Sequence, residues 1–170
     1  MNERTDENLV TACQGGEKAA YTLLVERHYR HVFGMCFGIL GNTHDAEDIA
    51  QEAMLRGFLK IRKLNAGGQF GPWILKTAKN LCVDFVRRQR RSKPLVAEQH
   101  RQAPTDNHDL EKAIQRLPME LRLPLVMYYF GDRNAKIIAE KLGISHSGAC
   151  QRIRAARRQL HALLSERDTQ

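Results

Sequence analysis

No run of eighteen apolar residues occurs in this chain of 170, so no segment reads as a membrane-spanning helix. The first ten residues, MNERTDENLV, lack the basic-then-apolar order of a secretory signal, and the expected location is the cytoplasm. Convincing period-two alternation is also missing, which argues against β-strands. Cys13, Cys36, Cys82 and Cys150 are widely separated and form no CxxC or other recognised metal spacing; they read as reduced thiols. His28, His31 and Cys36 come nearest to a ligand set, but three loosely spaced groups without a fourth fall short of a closed tetrahedral site. Neither a metal nor a cofactor is expected.

What the chain does have is helical period and unevenly placed charge. An apolar content of 42% with 27% charged residues is a globular composition, and the length allows one domain or two small ones. The net charge of +8 is not spread evenly: residues 1 to 60 carry six basic and nine acidic side chains, residues 61 to 100 nine and two, residues 101 to 170 twelve and eight. Such asymmetry points to different partners for different segments, with a polyanion for the basic ones.

Apolar spacing predicts helices over 7 to 14, 17 to 40, from an N-cap at Thr43 to about Leu64, and from Phe70 to about Arg91, with Gly41-Asn42 and the Asn65 to Gly68 turn as breaks. Residues 92 to 109, SKPLVAEQHRQAPTDNHD, lack that period and read as a flexible linker. Helical spacing resumes at Leu110, broken at Leu117-Pro118, Gly131-Asp132 and Gly143, which leaves room for four helices. The expected fold is all-α: two small helical domains, residues 1 to 91 and 110 to 170, joined by the linker 92 to 109.

The C-terminal domain contains a helix-turn-helix pattern in NAKIIAEKLGISHSGACQRIRAARRQL, residues 134 to 160. Ile138, Ala139 and Leu142 supply the inner side of its first helix, Gly143 the left-handed turn, Ile144 the corner and Ser145 the cap of the second helix. That second helix is buried through Ile153, Ala156 and Leu160. It bears Arg152, Arg154, Arg157 and Arg158 with no acid between them, a charge suited to DNA.

The N-terminal domain gathers the acid. In DAEDIAQE, residues 45 to 52, helical spacing lines up Asp45, Asp48 and Glu52 with Arg56 on one stripe, with Glu47 and Gln51 alongside and Ala46, Ile49, Ala50, Ala53 and Phe58 opposite. Helix-dipole complementarity and a Glu52–Arg56 pair account for part of this stripe. In the next helix Trp73, Lys76, Asn80, Asp84, Arg87 and Arg91 share a face. A ring, an amide and cations on one surface suit single-stranded nucleic acid, although a large aromatic also packs in cores.

DAEDIAQE, then Phe58, Phe70, Trp73-Ile74, Ala78, Asn80, Asp84, Arg87 and Arg91, followed by a linker, Leu117-Pro118 and a helix-turn-helix ending ARRQL, resembles the extracytoplasmic-function (ECF) sigma factors of bacterial RNA polymerase, in the sigma-70 family. The resemblance implies a region 2 domain that docks on core RNA polymerase through Asp45, Glu47, Asp48, Gln51 and Glu52. The same domain would recognise and melt a promoter's minus-ten element with Lys63, Asn65, Phe70, Trp73, Lys76, Asn80 and Arg87. A region 4 domain would read the minus-thirty-five element with Ser145, His146, Ser147, Gln151, Arg152, Arg154 and Arg158. It further implies promoter DNA as a partner, an anti-sigma factor as the usual inhibitor of such chains, and no enzymatic activity.

The pattern departs from the family at Ile137, where an acid is common, and at Gly148-Ala149 and Ala155 in the recognition helix. Two other readings bear on the same residues. A helix-turn-helix repressor or activator with an N-terminal sensing or dimerisation domain would bind its operator without polymerase. A metal-dependent nuclease would use the acids at 45 to 52, but no His or Lys accompanies them at a useful spacing.

Overall fold

The computed structural model describes residues 4–64, 69–92, 108–131 and 133–165; among them are eight α-helices and one short 3-10 turn, and no strand. The helices are α1 (Asp6–Gln14), α2 (Lys18–Leu40), α3 (Thr43–Lys60), α4 (Phe70–Ser92), α5 (His108–Arg116), α6 (Met119–Phe130), α7 (Ala135–Leu142) and α8 (His146–Ser165), with the 3-10 turn Ile61–Lys63 after α3. Gly41 and Gly143 close α2 and α7 with φ of 77° and 67°, a left-handed conformation that glycine adopts without the clash a Cβ brings. Two boundaries differ from expectation. The N-cap of α3 is Asn42 rather than Thr43, because its carboxamide oxygen accepts from the Asp45 N–H at 2.9 Å. The linker also gives up its last residues to α5, which begins at His108. Asn65, Gly67, Gly68 and residues 93 to 107 lie outside the described residues.

The centre of the molecule is α2, packed against α1, α3, α4 and α6. Leu24, Val32 and Cys36 are fully buried there with Leu9 of α1, Ala46, Ala50 and Ala53 of α3, and Phe70, Ile74, Ala78 and Cys82 of α4. The small residues of α3 set how near its neighbours come. A Cβ on Gly57 would stand 2.6 Å from the Tyr21 hydroxyl and 2.8 Å from Ile74 Cδ1, so only glycine permits that approach. The Tyr21 hydroxyl donates to the Met54 carbonyl at 2.5 Å, which satisfies a buried polar tip. Burial pushes its phenol well above the ordinary value.

In the second unit α6, MELRLPLVMYYF, has apolar residues all round and is covered on both sides, by α8 and by α2. In the helix-turn-helix, Asn134 caps α7 by accepting from the Lys136 and Ile137 N–H groups at 2.9 and 3.4 Å. Ile138 and Ala139 are buried, and the Ile144 N–H donates to the Ala139 carbonyl across the turn at 3.0 Å. Leu117, Leu125, Val126, Met127, Ile138, Ile153 and Ala156 belong to the same continuous apolar core as α2.

Candidate functional site

Three surfaces carry the candidate residues. On α3, Glu47, Asp48 and Gln51 are exposed, while Asp45 and Glu52 are partly covered. Two of the acids have local partners: Asp48 lies 3.4 Å from His44 Nδ1 with 63% of its side chain exposed, and Glu52 accepts from Arg56 Nε at 2.6 Å. Both are i,i+4 contacts at the surface, which contribute a few tenths of a kcal/mol and leave the acids available. Leu55 and Leu59, 55% and 70% exposed, continue the stripe at intervals of four. Sequence reasoning missed them, though the spacing 48, 51 or 52, 55, 59 held the signal. Phe58, expected inside, is 38% exposed and sets its ring edge toward Tyr21 at 5.1 Å.

The second surface is the outer side of α4 with the turn before it. Lys63, Lys76, Asn80 and Arg87 are exposed. Phe70 is not available to a base: it is fully buried, with Trp73 at 5.8 Å, His28 at 5.2 Å and Tyr21 at 6.0 Å around its ring. The first apolar residue of a helix that enters a core packs there, so Phe70 is a corner residue rather than a nucleic-acid contact. Trp73 is half-buried against it, combining the packing and surface readings. Gln14, unnoticed in the sequence, donates from its carboxamide to the carbonyls of Ile61 and Leu64 at 3.0 and 2.7 Å. It thereby ties the exit of α3, next to Lys63, to α1.

The third surface is the start and outer side of α8. Ser145, His146, Ser147, Gln151, Arg154 and Arg158 are exposed and Arg152 is half-buried. The Ser145 hydroxyl accepts from the Gly148 N–H at 3.0 Å, the cap expected of it. Arg157, counted from sequence among the arginines suited to DNA, instead lies over the rings of Tyr128 and Tyr129 at 5.3 and 5.4 Å, a cation–π position that fastens α8 to α6.

The remaining groups with chemical potential are engaged in the fold. His28 Nε2 sits 2.6 Å from Asp6 Oδ2, and Arg27 reaches the other oxygen at 3.0 Å. Burial opposes ionisation of Asp6, but the hydrogen bonds from His28 and Arg27 outweigh it and hold its carboxyl below the ordinary range. Cys13, Cys36 and Cys82 are buried and Cys150 is half-buried, 3.6 Å from His146. A hydrogen bond with Cys82, then burial, drives the Cys36 thiol far upward, the reverse of an activated thiolate. Among the described residues no three His, Cys, Asp or Glu side chains converge to hold a metal ion. No helix of the described residues is long and apolar enough to cross a membrane.

Comparison with known proteins matches residues 24–92 to sigma-70 region 2 and residues 113–162 to sigma-70 region 4. The chain is 26% identical over 172 residues to the ECF RNA polymerase sigma factor SigW of Bacillus subtilis, covering 89% of this chain and 92% of that protein. The chain belongs to the ECF sigma factors. The sigma factor is likewise 28% identical over 187 residues to SigE of Mycolicibacterium smegmatis, over 99% of this chain and 72% of the relative. Its fold is shared with CnrH, solved in complex with the cytosolic domain of CnrY, at a TM-score of 0.66 and 22% identity over 95% of this chain and 97% of that one. It is shared also with RpoE of Bartonella quintana, solved with the anti-sigma factor NepR, at 0.63 and 16% over 85% and 96%. All three candidate surfaces of this sigma factor fall inside the two matched regions.

Proposed function

We propose that this sigma factor binds core RNA polymerase through the α3 stripe and directs it to promoters whose minus-ten element is captured by α4 and whose minus-thirty-five element is read by α8. The observation that carries this reading is the exposed surface of α3 formed by the acids Glu47 and Asp48 with Gln51 beside them, in the same unit as the basic α4. Acid so placed repels DNA and attracts a basic protein surface, so the stripe suits a protein partner while α4 and α8 face polyanion. A stand-alone repressor has no use for such a division. In this account Lys63, Lys76 and Arg87 track single-stranded phosphates, and Trp73 and Asn80 meet bases. His146, Ser147 and Gln151 point into the major groove from the first turns of the recognition helix, and Arg154 and Arg158 hold its flanks. The division into residues 1 to 91, the linker and residues 110 to 170 follows the same division of labour. The protein would act in the bacterial cytoplasm, without catalysis of its own and under the control of an anti-sigma factor.

The test is transcription of total genomic DNA by purified core polymerase with and without the chain, with the 5′ ends mapped. The expected result is a discrete set of chain-dependent start sites sharing two spaced elements. Binding to DNA with no effect on polymerase and no new start sites would favour the repressor instead.

A further inference from the structure

Helix α1 takes no part in the three surfaces, yet its first and last residues reach the two ends of one connection, the one between α3 and α4. It precedes the residues matched to sigma-70 region 2, which begin at 24. A helix of nine residues is too short to persist in water alone, so its place is set by packing. Leu9, Val10 and Cys13 are buried in the common core, and α1 touches α2, the 3-10 turn and α4.

At its C-terminal end Gln14 donates to the carbonyls of Ile61 and Leu64 at 3.0 and 2.7 Å, where the chain leaves α3. At its N-terminal end Asp6 holds His28 of α2 at 2.6 Å and Arg27 at 3.0 Å. His28 in turn supports the start of α4. Its ring lies 5.2 Å from that of the fully buried Phe70, and a Cβ on Gly71 would stand 3.1 Å from His28 Cε1 and 3.3 Å from Nδ1. The backbone that opens α4 therefore rests on an imidazole that Asp6 orients. Asp6 and Gln14 are about 12 Å apart along α1, at about 1.5 Å per residue. The connection from Leu64 to Phe70 thus begins and ends against one rigid helix.

Lys63 stands just before this connection, and Trp73 and Lys76 just after it. The separation of its two ends consequently fixes how far apart these side chains stand. Capture of one DNA strand needs that spacing to be preset, because ordering it at the moment of binding subtracts from affinity. Resting on the function proposed above, we propose that α1 is a brace for the minus-ten site, with Asp6, His28 and Gln14 as positioning residues that hold Lys63 and Trp73 at the spacing a single strand requires. A segment held at both ends is released when either end is let go, whereas two ties that merely stabilise the fold act independently.

The test uses the full chain with Asp6→Ala, with Gln14→Met, which keeps length and helix preference but removes the donor, and with both. In urea unfolding the two losses of stability are expected to add, since the sites share no partner and lie about 12 Å apart. Hydrogen exchange of the free chain, read by mass spectrometry over residues 61 to 74, is expected to quicken several-fold in either single variant and no further in the double. The third measurement is the affinity of core polymerase carrying each chain for a single-stranded oligonucleotide of the minus-ten sequence shared by the chain-dependent start sites. It is expected to fall about five-fold in each single variant, the worth of one hydrogen bond, and again only about five-fold in the double, where independent losses would multiply to about 25-fold. Affinity for core polymerase itself is expected to stay at the wild-type value. Unchanged exchange, multiplied losses of capture, or a parallel loss of polymerase binding would each overturn the brace. Faster exchange with undiminished capture removes the positioning role and leaves the sigma function standing. A wild type that directs no start sites removes that function, and the positioning role with it.

Discussion

Ser145 and Gly148 show how a residue that looks costly alone is explained by its neighbour. Glycine inside a helix weakens it by about 1 kcal/mol relative to alanine, yet a Cβ at position 148 would sit 3.0 Å from the Ser145 hydroxyl and crowd the cap. Gly148→Ala is therefore expected to leave stability within about 0.5 kcal/mol of wild type, gain in propensity offsetting damage to the cap. The same change in a Ser145→Ala background should stabilise by about 1 kcal/mol, because nothing is left to crowd. Urea unfolding of the four proteins measures it, and equal effects of Gly148→Ala in both backgrounds would contradict the crowding. The two neighbouring arginines also separate. Arg157→Ala should cost about 0.5 to 1 kcal/mol of stability through its lost place over Tyr128 and Tyr129, whereas Arg158→Ala should leave stability alone and lower the salt slope of DNA binding by about one. Asp6 adds a pH dependence. Its folded carboxyl lies below the ordinary 3.8, so its stabilising contribution is complete above that ordinary value and is lost as pH falls through the lower folded one. Asp6→Asn should thus be less stable than wild type at pH 7, and the gap should narrow in urea unfolding as pH falls below the ordinary carboxylate range.

At the scale of elements, helix positions follow from the sequence because their ends are chemically marked. Gly41, Gly143, Ser145 and Leu117-Pro118 each stop or start a helix by a local rule. Asn42 displaced Thr43 as a cap because two good capping residues stood side by side and only the path of the chain decides between them. Helical period places residues on a face but does not say which neighbour covers it. For that reason Phe70 was read with the α4 surface although it is wholly buried, and Leu55 and Leu59 were passed over although they extend the α3 stripe. Gln14 was invisible for another reason: its partners, the carbonyls of Ile61 and Leu64, belong to a chain segment about fifty residues away. Gln14→Leu should loosen the exit of α3 beside Lys63 while sparing the stripe. Polymerase binding is expected to persist and permanganate reactivity of the melted promoter to fall several-fold; unchanged reactivity would show that this tie does not position the turn.

Across the whole molecule, an all-α chain with an acidic stripe, a basic helix and a helix-turn-helix could be read from charge, period and turn residues. The packing of the two halves could not. Gly34 and Gly38 look like weaknesses within α2 until α6 lies against them, and Arg122 looks like one more surface cation until the carbonyls of Gly38 and Ile39 are found at its end. The central claim, that α3 meets polymerase, is tested most directly by reversing its charge. Asp48 and Glu52 are partly or wholly exposed and have only surface partners, so Asp48→Lys with Glu52→Lys should unfold within about 1 kcal/mol of wild type. Its affinity for core polymerase, measured by titration of a labelled chain, should fall by about 100-fold or more, as losing charges at the heart of an interface costs about 2 to 5 kcal/mol. A folded variant that binds core polymerase with wild-type affinity would contradict the account.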